Sequence, residues 1–224
     1  MHPKAILFDF DGTLVDTEWV IYCAWRDFYR SEGQELPIEV YVQCIGSDFD
    51  TWSPKTHLET LTGRSFDWEL LDKERNQGIR ANLAGQGPVE GARELLATLS
   101  GRVRMGVVSS SSHDWVDGWL EKLGLAEFFE LTVCRGDAPR IKPAPDLYLQ
   151  AASQMSLPAE ECLVIEDSLN GCRAAKAASM TAYAIPNRIT SVSDFSEVDG
   201  VFHTVEQLGA ALTDAFFYNK LTQS

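Results

Sequence analysis

Short unbroken apolar runs alternate along this chain with stretches whose apolar residues recur every three or four positions. Ala5-Ile6-Leu7-Phe8 is such a run, and it ends in Asp-Phe-Asp-Gly. It predicts a buried strand closing on a tight turn. From 17 to about 31 the apolar positions, among them Trp25, Phe28 and Tyr29, share one side of a helix, with Asp16 as N-cap and Gly33 as stop. Residues 36 to 85 hold helical patches at 39–44 and 68–80 but no buried strand, and Gly46, Pro54, Gly63 and Gly85-Gln86-Gly87-Pro88 punctuate them. They predict a small helical insert. Beyond Pro88 helices are expected at 91–99, 114–123 (stopped by Gly124), 145 to about 155 and 169–178. Strands are expected at 103–108, 131–134, 162–165, 181–185 and 200–203, and the pattern weakens after about Thr213.

Strands alternating with helices imply an α/β fold, a doubly wound parallel sheet covered on both faces. Such sheets bind ligands at the carboxyl ends of their strands, near the switch in strand order. A length of 224 residues suits one large domain carrying a smaller one. Residues 1–15 and 87–224 are assigned to the core and 16–86 to the helical insert.

Charge narrows the partners. Lys and Arg total 19 against 33 Asp and Glu, a formal net charge of -14. So acidic a chain is a poor ligand for nucleic acid or anionic membrane, which select clustered cations. A phosphate site in it must draw on a few local cations or a metal. The cysteines (Cys23, Cys44, Cys134, Cys162 and Cys172) are odd in number and not at metal-ligand spacing, which fits reduced thiols. No signal peptide is read at the start, and no apolar run approaches the roughly 18 residues that span a membrane. A cytoplasmic monomer is expected.

Polar residues of the kind phosphoryl transfer needs stand at the ends of three expected strands. Asp9 and Asp11 follow the first, Ser109 the second, and Glu166-Asp167 a third. Lys142 lies in a loop before a helix, and Pro143 holds it out of helical geometry. A carboxylate can be a covalent nucleophile toward phosphorus, and a second can manage the leaving group's proton. Mg2+ on hard oxygens and a Lys relieve the repulsion between carboxylate and phosphate. A calcium loop is excluded, because Val20 stands at the twelfth position from Asp9 where a Glu is required.

Asp9-Phe10-Asp11-Gly12-Thr13-Leu14-Val15-Asp16, Ser109 after Val107-Val108, Lys142-Pro143-Ala144-Pro145-Asp146 and Ile165-Glu166-Asp167-Ser168 together resemble the haloacid dehalogenase (HAD) superfamily. The Lys-Pro-x-Pro-Asp and Glu-Asp-Ser forms, with a helical insert after the first motif, resemble its beta-phosphoglucomutase-like and phosphoglycolate-phosphatase-like branch. The resemblance implies a Rossmann-like core under a mobile helical cap. It implies Asp9 as nucleophile and Mg2+ ligand, and Asp11 as general acid then base, with its carbonyl on the metal. Ser109 and Lys142 would hold the transferring phosphoryl group, with Gly12, Thr13 and Ser110 as further phosphate-binding positions. Asp167 would bind Mg2+, and Glu166 would do so directly or through water. The implied activity is phosphatase action on a small phosphorylated metabolite, a sugar phosphate among the candidates. Asp11 argues against dehalogenation, whose enzymes carry a single Asp in this motif and no metal.

Alternatives are a phosphomutase and a HAD-fold binding protein without turnover. In the mutases a His follows in the pattern Glu-x-x-His, and here Ile21 occupies that place after Glu18. That favours hydrolysis, and the intact set Asp9, Asp11, Lys142 and Asp167 argues against a dead relative. The loop Gly46-Ser47-Asp48-Phe49-Asp50 stands where cap loops meet substrate, and its carboxylates would repel a second anion if they face inward. Arg75, Arg80 and Asn82 are placed either on the surface, the favoured reading, or within reach of the site. His113 is placed either near phosphate or in the first turn of a helix, and Trp19, Trp25 and Trp52 in packing.

Overall fold

Residues 4 to 8 lie in the middle of a six-stranded parallel sheet. The structure, a computed structural model, describes residues 2–47, 49 and 52–218. The strands are β1 (Ala5–Phe8), β2 (Arg104–Val108), β3 (Leu131–Val133), β4 (Cys162–Glu166), β5 (Thr181–Ala184) and β6 (Gly200–Val201). Their order is β3-β2-β1-β4-β5-β6 and every pair is parallel. The chain winds outward from β1 on one side, then returns to build the other, so the switch falls at β1.

The helices are α1 (Glu18–Ser31), α2 (Ile38–Tyr41), α3 (Pro54–Thr62), α4 (Trp68–Asn82), α5 (Ala92–Leu99), α6 (His113–Lys122), α7 (Asp146–Gln154), α8 (Leu169–Ala177) and α9 (Val205–Tyr218). Successive side chains of β1 point to opposite faces, so its four residues serve two cores. Ile6 and Phe8 pack with Leu96 and Leu99 of α5, Val116 and Leu120 of α6 and Leu208 of α9. Ala5 and Leu7 pack with Leu147 and Ala151 of α7 and Ala174 and Ala175 of α8. Burial on both faces explains why β1 and β4 read as unbroken apolar runs.

Helices α1 to α4 have their own core. Tyr22, Trp25 and Tyr29 of α1 recur on one face and bury against Tyr41, Cys44 and Leu58. The Tyr29 hydroxyl donates to Pro54 O at 2.6 Å, which ties α1 to the start of α3.

Three expectations change. Pro54, read as punctuation, is the first residue of α3; its missing N–H costs nothing in a first turn. Beyond the last strand, α9 runs through the segment where the pattern seemed weak. The N-cap of α1 is Thr17, while Asp16 sits one residue outside and accepts from Trp19 N at 3.4 Å. Asp48 and Asp50 of the insert loop lie outside the described residues. All five cysteines are free thiols, and burial pushes those of Cys44 and Cys134 up to about 12. Among the described residues no helix is long and apolar enough to cross a membrane.

Candidate active site

The carboxyl ends of β2, β1 and β4 lie side by side, and the candidate residues stand on them. Asp9 leaves β1 with its N–H on Ile165 O at 2.9 Å, and Ser109 leaves β2 with its N–H on Val133 O at 2.9 Å. After Asp9 the chain folds into a tight loop, closed by Leu14 N on Phe10 O at 2.9 Å and Gly12 N on Val15 O at 2.7 Å. Gly12 has φ +87, and a Cβ there would overlap the Asp167 carboxylate, so both backbone and space require glycine.

Asp9, Glu166 and Asp167 are buried, and each offers a carboxylate oxygen within 4.8 Å of the others. Glu18 of α1 is buried beside them. Lys142, its side chain fully buried, donates to Asp9 Oδ1, to Val108 O at 2.7 Å and to Glu166 Oε1 at 2.7 Å. Its three protons are thus all used. Glu166 also accepts from the Tyr148 hydroxyl at 2.8 Å and from Ser168 N and Oγ at 3.2 and 2.9 Å. Asp167 is less tied: Asn187 Nδ2 donates to Oδ2 at 2.7 Å, and Thr13 Oγ1 stands 3.5 Å from Oδ1.

One lysine does not balance these acids. Burial first, then the Glu166 charge, pushes the Asp9 carboxyl up to about 8 despite the opposing pull of Lys142. Burial and neighbouring carboxylates hold Glu18 and Asp167 well above the ordinary range. Burial alone would lower the Lys142 ammonium, but the Asp9 and Glu166 charges outweigh it and raise it. Such a cluster takes up either protons or a cation. Its donors are all oxygen, the set that suits Mg2+.

Asp11 faces the other way. Its carboxylate accepts from Thr17 Oγ1 at 2.6 Å, Ser111 Oγ at 2.6 Å and Trp115 Nε1 at 2.9 Å. With Asp9, Glu18 and Ser109 it lines a cavity of about 470 Å3 between the strand ends and the insert. Ile21 and Trp25 of α1 and Arg75 and Arg80 of α4 line it too.

The structure therefore brings Asp9, Lys142, Glu166 and Asp167 into contact and sets Asp11 and Ser109 on the cavity wall. Ser110 lines the same cavity, its hydroxyl donating to Gly46 O at 3.1 Å. Gly12 and Thr13 line a second pocket, shared with Asp16 and Asn187. His113 opens α6 with its ring nitrogens 2.8 Å from Asp117 and Asp137, whose hydrogen bonds raise its pKa. Asn82 is exposed as expected, but the Arg75 side chain is only 14% exposed, because it lies against Trp25. Trp25 both packs and lines the cavity. Sequence reasoning gave no site role to Glu18, Thr17, Ser111, Trp115, Tyr148 or Asn187. Asn187 follows β5 closely and was open to the same strand-end rule that found Glu166.

Comparison with known proteins identifies the family and the fold. Residues 6–185 match the family described as haloacid dehalogenase-like hydrolase. The chain is 32% identical over 210 residues to the putative phosphatase YhcW of Bacillus subtilis, covering 93% of this chain and 95% of that protein. It is 30% identical over 177 residues to the fructose-1-phosphate phosphatase YqaB of Escherichia coli, covering 79% and 93%. The crystal structure of CbbY from Rhodobacter sphaeroides in complex with phosphate superposes with a TM-score of 0.72 at 25% identity, covering 95% of this chain and 99% of that one. By sequence and by fold, the chain belongs to the haloacid dehalogenase-like hydrolases.

Proposed function

We propose that this hydrolase is a Mg2+-dependent phosphatase of small phosphorylated metabolites, sugar phosphates among them, working through a phosphoryl group carried on Asp9. The observation that carries this reading is the buried set Asp9–Lys142–Glu166–Asp167 at the sheet's switch point, opening at Asp9 onto the cavity. Asp9, Asp167 and the Asp11 carbonyl would hold the ion. Glu166, whose oxygens already accept four hydrogen bonds, fixes Lys142 and would act on the ion through water. When bound, the ion neutralises carboxylate and phosphate charge together.

An Asp9 oxygen attacks phosphorus as the ester P–O bond breaks, and the departing alkoxide takes a proton from Asp11, which enters the step as the carboxylic acid and leaves it as the carboxylate. Asp11 then takes a proton from water as the water oxygen attacks phosphorus. The Asp9–phosphorus bond breaks, releasing inorganic phosphate and restoring Asp9. Ser109 holds a phosphoryl oxygen, and Lys142 exchanges part of its bond to Asp9 for another. Thr17, Ser111 and Trp115 aim Asp11 at the cavity. Residues 16–86 act as the cap, closing over substrate and excluding bulk water. Hydrolysis is favoured over phosphoryl return because the apolar Ile21 lines the cavity at the place where the mutases carry a His.

Turnover of 4-nitrophenyl phosphate with Mg2+ and with EDTA, by wild type and Asp9→Asn, tests the reading. Activity is expected only in wild type with Mg2+. Equal rates in both proteins would remove Asp9 from the mechanism.

A further inference from the structure

The acidic residues lining the cavity, among those described, are Asp9, Asp11 and Glu18, all at its floor. The basic ones are Arg75 and Arg80 of α4, and Arg135. Three arginines on one cavity stand out in a chain with 19 basic against 33 acidic residues. Arg75 is the one the structure has built in. Its guanidinium carbon lies 3.8 Å from the centroid of the Trp25 ring, and its terminal nitrogen lies 2.8 Å from Asp72 Oδ1. Asp72 is shared, because Lys55 Nζ pairs with its other oxygen. The trio Lys55, Asp72 and Arg75 thus keeps a net positive charge against the cavity wall.

The wall also carries unmet donors. Trp25 Nε1 and Arg75 Nε are buried without a hydrogen-bond partner among the described residues. A buried donor left unpaired keeps its desolvation penalty with no bond to offset it. Packing alone gives no reason to keep two of them side by side on a cavity. An arginine held flat on an aromatic ring is pre-organised as a planar fork, the form that recognises carboxylate and phosphate oxygens.

We propose that Arg75, braced by Trp25 and Asp72, determines specificity by gripping a second anionic group of the substrate, so that the preferred substrates are phosphate monoesters bearing a carboxylate or another phosphate at the far end. This rests on the reading of the cavity floor as the place where phosphate is cleaved. Arg80 of α4 and Arg135, whose Nε donates to Ser110 O at 2.9 Å, add charge to the same cavity.

Two substrate pairs test this: fructose 1,6-bisphosphate against fructose 1-phosphate, and phosphoglycolate against 2-hydroxyethyl phosphate. In each pair the members differ by one anionic group, and the responding pair tells phosphate from carboxylate. Wild type should favour the doubly substituted member of at least one pair by about 10-fold or more in kcat/KM. Arg75→Met should bring that ratio to within about 2-fold of unity, mainly through KM, and Arg75→Lys should leave an intermediate ratio. A wild-type ratio near unity in both pairs, with all four esters hydrolysed, would overturn the inference and leave the phosphatase reading standing. No hydrolysis of any of them would overturn both. An unchanged ratio in folded Arg75→Met would overturn the role of Arg75. The wild-type ratios decide the substrate class even if that variant does not fold.

Discussion

Burial moves the Asp9 carboxyl from an ordinary 3.8 up to about 8, so the metal-free protein keeps a proton there that the unfolded chain gives up. Asp167 and Glu18 shift in the same direction, for the same first cause. The sign follows: the unfolded state binds fewer protons across that window, so stability falls as pH rises from about 4 to about 8. Mg2+ competes with those protons and stabilises the fold that binds it. In EDTA the denaturant midpoint should therefore drop between about pH 5 and about pH 8, and excess Mg2+ should reverse most of the drop. A midpoint flat with pH in EDTA, or indifferent to Mg2+, would contradict the cluster as a cation site. That Asp9, Asp11, Ser109, Glu166 and Asp167 share one crevice was legible in the sequence, because strand ends in a parallel sheet converge there; Lys142, in the loop before α7, was singled out instead by Pro143 and by the family resemblance. Thr17, Trp115 and Tyr148 were not legible, because their roles depend on which helix face meets the floor, and helical period alone does not fix that.

The insert loop docks on the core through Gly46 and its neighbours. Ser110 Oγ donates to Gly46 O at 3.1 Å, and Asn170 Nδ2 donates to Ile45 O at 2.9 Å. Gly46 has φ +74, and a Cβ there would overlap Ser168 Oγ. Ser168 in turn caps α8, accepting from Gly171 N at 3.1 Å, and donates to Glu166. Gly46→Ala must either lift the loop or displace Ser168. It should cost about 1–2 kcal/mol of stability, by denaturant unfolding, for the left-handed backbone. It should lower kcat/KM by about 10-fold or more, by loosening both the cavity wall and Glu166. Wild-type kinetics in this variant would show that the docked loop plays no part in turnover. Most elements were legible from their period, within a residue or two at their ends. Pro54 misled because proline marks a first helical turn as readily as a break.

At the scale of the whole molecule, sheet order decides where chemistry can occur. Starting in the middle at β1 and winding outward both ways leaves a crevice over the ends of β1, β2 and β4. Lys142, from the loop before α7, reaches under it to pair with Asp9 and Glu166. A chain of net charge -14 would hold phosphate there by drawing on local cations, Lys142 beneath Asp9 and the arginines lining the cavity. The alternation of strand and helix gave this architecture away, whereas the cavity wall above depends on how α1 and α4 pack across one another. The central claim is that Asp9 carries the phosphoryl group. Acid quench during turnover of a phosphate ester, reduction of acyl phosphate by borohydride and peptide mapping test it directly. The reduction product is expected at Asp9 alone. Its absence from Asp9 in an enzyme that is turning over, or its appearance at another residue, would contradict the claim.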